Sequence, residues 1–291
     1  MNALSLLLTH PGGAHKDEFL ACCVVLAHAA VPIERRDPTE ADLADPSVCV
    51  LDVGHLHEPE RNNFDHHQLP SDHPPTCALS LVLQHLGLYA DAREFCEWLE
   101  TAEWFDCRGP VDTAKWLGLE RSVLPRLNSP IDLTLLRRFA GSTRLEPGHP
   151  VWEVMRMIGE DLVGHVVSSR HKLDQLGRHA VRWELELAGA PALVVFLPRT
   201  DTLADDVATS LDRYIERQPW AREVVGSVYP DRRSRGYGLG RFRDNPRLDF
   251  TRIAAEPDVH FAHARGFVAK TSAHETARLR ELVLAAGVAA A

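Results

Sequence analysis

Residues 4–26, LSLLLTHPGGAHKDEFLACCVVL, decide how the rest of the chain is read. Leu4 to Leu8 is a short apolar run, suited to a strand buried on both faces. Thr9 to Ala14 contains Pro11, Gly12 and Gly13, which break regular structure. Phe19 to Ala30 is then apolar at helical spacing and stops near Pro32. Strand, tight loop and helix make the first half of a βαβ unit. The loop and the helix start carry His10, His15, Asp17 and Glu18.

The same rhythm continues. Ile33 to Arg36 reads as a second strand and Val48 to Val53 (VCVLDV) as a third; Cys77 to Leu86 and Ala92 to Phe105 read as helices. This pattern predicts an α/β fold with a doubly wound, largely parallel sheet. In such sheets reactive groups gather beyond the carboxyl ends of the strands. His10 follows the first strand, Asp52 ends the third, and Asp106 closes a predicted helix. Residues 118–150 show weak periodicity. Val151 to Leu176 reads as one long helix, with a break expected near Gly159 or Gly164. After Gly177 come strand patterns at Val181–Leu187 and Ala192–Leu197, a hairpin around Gly189, and helical segments at Asp205–Glu216 and Ala273–Ala285. The expected organisation is a metal-binding catalytic domain over 1–150, a connecting helix over 151–177, and a smaller α+β substrate-binding domain over 178–291.

With 291 residues, 45% hydrophobic and 25% charged, the chain has an ordinary globular composition. No apolar run is long enough to span a bilayer. The opening MNALSLLLTH lacks a basic region and a small-residue cleavage site, so a cytoplasmic protein without a membrane partner is expected. The six cysteines form no CxxC pair and are expected to be buried reduced thiols. A net charge of −9 argues against a general polyanion binder. Bound cations would reverse that sign locally, which keeps a nucleic-acid substrate open. Oligomeric state is not fixed by the sequence, a homodimer included.

Asp65-His66-His67-Gln68 adds the remaining donors. A lone His-His pair is commonly a surface feature, and a lone Asp-x-Gly after a strand is commonly a turn. Here the groups occur in order, each at an active-edge position. Mixed imidazole and carboxylate ligands suit Mn²⁺, with Co²⁺, Fe²⁺ or Zn²⁺ as alternatives; an all-carboxylate set would favour Mg²⁺ more strongly. Two such ions can hold a hydroxide for attack on phosphorus and neutralise phosphate oxygens. Asp52 is the expected shared carboxylate. His10 and His15 would complete one shell, and Asp17, His66 and Asp106 the other. His67 is placed to contact a phosphate oxygen or protonate a leaving group, and Asp65 to orient a histidine.

These motifs resemble the DHH phosphoesterase superfamily, and most closely its Myg-type (UPF-type, Myg-related) exonuclease branch. That branch reads roughly THxGxFHxDE, RTRD, DVGG and YDHHQ. This chain reads THPGGAHKDE (9–18), ERRD (34–37), DVGH (52–55) and FDHHQ (64–68). Later segments, Val228-Tyr229-Pro230-Asp231 and 259–267 (VHFAHARGF), resemble the branch's VHxSGFxGGxKT region. The resemblance implies a two-domain phosphoesterase with its site in the cleft and 3′–5′ exonuclease activity on single-stranded RNA or short oligonucleotides. It implies metal ligation by His10, His15, Asp17, Asp52, His66 and Asp106. Three departures stand out: Ala14 replaces an aromatic, His55 replaces a glycine, and Val268-Ala269 occupies the place of a Gly-Gly pair. The last bears on substrate identity, leaving a small phosphate ester or cyclic dinucleotide as the alternative.

Seven arginines lie between Arg232 and Arg252, with Tyr237 and Phe242 interleaved. They suggest a phosphate-binding surface with bases stacked on the aromatics, or else a solvated hairpin paired with carboxylates. Gly236, Gly238 and Gly240 read as loop glycines, without the context of a dinucleotide fold. Lys270 and Thr271 precede the last predicted helix, where a helix N-terminus could hold phosphate or Thr271 or Ser272 could cap it. Arg241, His263 and Lys270 join His67 as expected substrate contacts. Two other classes compete. THPGGAHKDE superficially resembles a zinc deacetylase motif, but Gly12 and Gly13 stand where its carboxylates would be. A non-catalytic nucleotide-binding regulator would not need all six ligands.

Overall fold

The computed structural model describes residues 3–201 and 208–289. The chain divides into two compact units, residues 1–168 and 169–291. The first runs β1 (Leu6–Thr9), α1 (Lys16–Leu26), β2 (Ile33–Arg35), α2 (Glu40–Ala44), β3 (Val48–Leu51), β4 (His57–Glu58) and β5 (Asn63–Phe64). It continues with α3 (Ala78–His85), α4 (Tyr89–Phe95), α5 (Trp98–Trp116), α6 (Pro130–Ala140) and β6 (Arg144–Leu145), and enters α7 (Pro150–His179).

The six strands form one sheet in the order β4-β5-β3-β1-β2-β6. The inner pairs are parallel, while β4 and β6 run antiparallel at the edges. From β1 the chain moves outward to β2 and then returns to β3 on the other side. The point where the order reverses therefore lies between β1 and β3, and their carboxyl ends open a crevice there. The sheet has two unequal faces. One packs Leu7, Ile33, Cys49 and Leu51 against α1, α3 and Trp152 of α7; the other is a small cluster of Leu8, Val48 and Val50 under Leu43 of α2. Helix α1 is buried from Asp17 to Leu26 because it has no polar face.

Several expected boundaries shift for local reasons. The helix expected over 92–105 is two helices, because Cys96 (φ −118°, ψ 81°) leaves the helical region. Asp106 lies inside α5, whose break comes at Gly109 (φ 69°, ψ 175°) before Pro110. Helix α7 is continuous through Gly159. A Cβ at Gly159 would collide with the Cys23 carbonyl of α1, so this glycine allows close helix packing rather than a break. The division between the units falls inside α7. Leu173 and Leu176 beyond it are buried, and a Cβ at Gly177 would meet the Tyr214 ring.

The second unit contains β7 (Val181–Leu187), β8 (Ala190–Phe196), α8 (Ala208–Glu216), β9 (Val224–Pro230), β10 (Tyr237–Arg241), β11 (Val259–Ala262), β12 (Val268–Thr271) and α9 (Thr276–Ala285). The start of the helix expected at Asp205 lies outside the described residues. The sheet order is β11-β12-β10-β9-β8-β7, antiparallel except for the β8–β9 pair. Its core joins Trp183, Val194, Leu239 and Phe250 to Leu279 and Leu282 of α9. Gly238 and Gly240 are strand residues of β10 rather than loop glycines. Lys270 and Thr271 are likewise in β12, and α9 is entered from Glu275, so neither residue caps that helix or lies at its N-terminus. All six cysteines are free, five of them buried. Among the described residues no helix is long and apolar enough to cross a membrane.

Candidate metal centre

Three adjacent strand ends bring the motifs together. His10 follows β1, Asp52 follows β3, and Asp65-His66-His67 follows β5. Asp17 enters from the first turn of α1, and Asp106 from α5. Asp52 holds a left-handed backbone (φ 58°) that aspartate tolerates better than most residues. Its amide donates to the Phe64 carbonyl at 3.1 Å, tying β3 to the following motif.

Ligand-type atoms of His10, His15, Glu18 and Asp52 lie within 4.8 Å of one another. So do those of His15, Asp17, Asp52 and Asp106, and those of Asp52, Asp65, His66 and His67. Asp52 is common to these three groups; a fourth, of His66, Asp106 and Cys107, lacks it. All six residues expected as metal ligands thus meet at this edge. The expected grouping changes: His15 lies with either set, and Glu18 joins the first.

Chemistry at these atoms fits cations. His66 Nε2 stands 2.8 Å from Asp106 Oδ2 and 3.0 Å from Asp52 Oδ1, yet none of the three is aligned for a hydrogen bond. His10 Nδ1 lies 2.8 Å from the Pro11 carbonyl oxygen, which can only accept, so this nitrogen carries the proton. With Nδ1 so engaged, the ring turns Nε2 toward Glu18 Oε2 and, 3.5 Å away, toward Asp52 Oδ2. A proton or a metal ion between these atoms would satisfy them. Both Asp17 carboxylate oxygens are also buried without a hydrogen bond. Buried polar atoms are rarely left so.

The electrostatics show the same strain. Burial, followed by the carboxylates of Asp52, Asp106 and Glu18, raises Asp17 well above the ordinary carboxylate range. Burial pushes Glu18 up to about 8 against the pull of Arg35. At His66 burial disfavours the charged ring, but Asp106 and Asp52 outweigh it and push the group up to about 12. Without a metal, protons serve as the counter-charge.

Two contributors escaped the sequence reading. Glu18 is wholly buried and its Oε1 accepts from Arg35 Nη2 at 2.9 Å. Arg35 also donates to the carbonyls of Gly12 (3.1 Å), Gly13 (3.0 Å) and Phe139 (3.3 Å), pinning the 10–15 loop. The available signal was the all-round apolar helix 19–26, which forces its first turn inside. Arg35 gave no local signal, since its partners are distant in sequence.

Asp65 is fully buried and accepts the backbone amides of His55 (2.7 Å) and His67 (2.9 Å). Burial opposes its charge, but these amides hold its carboxyl below the usual range. Its Oδ1 also lies 2.7 Å from His67 Nδ1. That contact directs the half-exposed His67 ring to present Nε2 outward. The other expected substrate contacts lie in the second unit and are engaged internally. Lys270 Nζ donates to Asp231 at 2.6 Å, and Arg241 donates to Asp244 at 3.1 Å and to the Leu248 carbonyl. The His263 ring lies against that of Phe267, with centroids 4.2 Å apart.

The family model MYG1_exonuc, described as an uncharacterised protein family (UPF0160), matches residues 6–80. No curated protein matches the chain. A solved structure, RecJ in complex with Mn²⁺ from Thermus thermophilus, is similar at 14% identity, over 97% of this chain and 51% of that one, with a TM-score of 0.30. The chain therefore spans about half the length of that RecJ chain.

Proposed function

We propose that this chain is a two-metal phosphodiesterase, acting as a 3′–5′ exonuclease on single-stranded RNA or short oligonucleotides. The observation that carries this reading is the convergence of unaligned, buried donor atoms on Asp52 from three strand ends and two helices. His10, His15, Asp17, Asp52, His66 and Asp106 would hold the ions, with Glu18 beside His10. Bound there, two divalent ions, Mn²⁺ first among them, supply Lewis acidity toward phosphate oxygens and water. The family match over residues 6–80 covers the first motif, Asp52 and the Asp65–His67 segment, and its name points to an exonuclease.

The protein's own groups divide the remaining work. Arg35 keeps the His10–His15 loop and Glu18 in register. Asp65 accepts from Nδ1 of His67, so that the ring, when it carries a second proton, can direct Nε2–H at a phosphate oxygen or give that proton to the leaving oxygen. Metal-stripped protein given Mn²⁺ should shorten end-labelled single-stranded RNA stepwise from its 3′ end. An Asp52→Ala control should not. Intact RNA alongside hydrolysis of a small chromogenic phosphodiester would move the reading to small phosphate esters or cyclic dinucleotides. Failure on both would sink it.

A further inference from the structure

The arginine-rich segment is not one surface. Arg243 pairs with Glu216 at 3.3 Å, and Arg241 with Asp244 and the Leu248 carbonyl. Arg247 donates to the carbonyls of Leu187, Ala190 and Pro191, and Arg252 to that of Gly287. These four are engaged by partners within the second unit. Arg232, Arg233 and Arg235 are exposed, as Arg243 and Arg252 are, but differ in that among the described residues no side-chain hydrogen bond or ion pair engages them.

Their loop, 231–236, joins β9 to β10 and is firmly tied. The Asp231 amide donates to the Gly236 carbonyl at 2.9 Å, and Ser234 Oγ to Asp231 Oδ2 at 2.7 Å. Arg199 Nη2 reaches the carbonyls of Asp231, Ser234 and Gly236 at 2.9–3.1 Å. Lys270 neutralises Asp231. The anchoring uses Arg199 and Lys270 and leaves the other three cations unspent. A preorganised loop loses little freedom on binding.

The neighbouring sheet face supplies aromatic surface. Tyr229 of β9 pairs with Gly238, Gly238 with Lys270, and Lys270 with Phe261 of β11. Directly paired residues share a face, so these four form one row across the sheet. A Cβ at Gly238 would run into the Tyr229 ring, so the glycine lets that ring lie across the strand. Phe261 is exposed at 44%. Guanidinium groups that fit phosphate oxygens, on the same sheet as an exposed ring, are the ingredients of single-strand binding.

We infer that Arg232, Arg233 and Arg235 form a landing site for the sugar-phosphate backbone of single-stranded nucleic acid, whose bases stack on the exposed Phe261 ring. The choice of polymer rests on the phosphodiesterase reading. The test reads binding rather than turnover, so the two can fail separately. Metal-free full chain and the Arg232→Ala/Arg233→Ala/Arg235→Ala variant are titrated into fluorescent single-stranded RNA at several salt concentrations. Melting curves check that the variant is folded.

The triple variant should bind about tenfold more weakly at low salt, with the log–log salt slope reduced by about 2, or ~0.7 for each phosphate no longer neutralised. Phe261→Ala should weaken RNA binding while leaving inorganic polyphosphate binding unchanged. Equal affinity and slope in the triple variant would overturn the site, as would absence of RNA binding by the unaltered chain. Polyphosphate competing as well as RNA, with no effect of Phe261→Ala, would overturn the nucleic-acid assignment in favour of any polyanion. Loss of Mn²⁺-dependent hydrolysis would count against the proposed activity alone.

Discussion

Glu103 and Asp17 are both fully buried carboxylates in the first unit, and their surroundings are opposite. Glu103 accepts from Ser80 at 2.6 Å, Tyr89 at 2.7 Å and Arg93 at 2.8 Å, joining α3, α4 and α5. Asp17 has no hydrogen-bond partner for either oxygen and faces other carboxylates. The first arrangement is complete as it stands and serves the fold. The second lacks its counter-charge, which is what a cation site requires. Satisfaction of donors and acceptors, rather than burial, separates the structural carboxylate from the functional one.

Substitutions at the two places should therefore act in opposite ways. Glu103→Ala leaves the Ser80 and Tyr89 hydroxyls without their acceptor, while Arg93 keeps Glu100, and should cost about 1–3 kcal/mol of stability, measured by urea unfolding. A loss near zero would erase the contrast. Asp52→Ala should lower hydrolysis by more than about a hundredfold, beyond the usual cost of removing an outer partner of a metal ligand, and should weaken Mn²⁺ binding in calorimetry. Asp65→Asn leaves the metal donors in place and should cost about tenfold in turnover by freeing the His67 ring. Unchanged turnover would remove His67 from the proposed mechanism.

The smallest effects concern metal-free protein. Asp17→Asn should raise its melting midpoint, by about 2–4 °C for each kcal/mol of repulsion relieved. The same logic gives a pH dependence. Glu18, raised from 4.5 to about 8, and His66, raised from 6.5 to about 12, both hold protons in the folded state that the unfolded chain releases. Their stabilising contribution is complete below the unfolded values and is lost as pH rises through the folded ones. Over pH 5–8 the metal-free midpoint should fall as Glu18 and then His66 enter this window. Mn²⁺ should raise it more at pH 8 than at pH 6, because metal displaces these protons. A metal-free midpoint that climbs across this range would contradict the cluster's electrostatics.

Much of the first sheet is legible in the chain itself. The runs 4–8, 33–36 and 48–53 are apolar enough to read as buried strands; His10 follows the first and Asp52 lies in the last, whereas the two-residue strand before Asp65 has no apolar run to announce it. Helix termini were harder to read. The interruption at Cys96 and the continuity through Gly159 depend on packing against other elements, which periodicity along one segment does not report.

The sequence by itself determined the βαβ rhythm and the places of His10 and Asp52 at the ends of apolar strand runs, because these follow from local pattern and residue chemistry. Tertiary structure alone decided three things. It buried Glu18 beside His10 and paired it with Arg35, and it gathered the donors around Asp52. It also gave four of seven similar arginines side-chain partners within the second unit and left three with none among the described residues. Each outcome depends on which distant carbonyl or carboxylate a side chain meets, and that information lies in the packing of segments far apart along the chain.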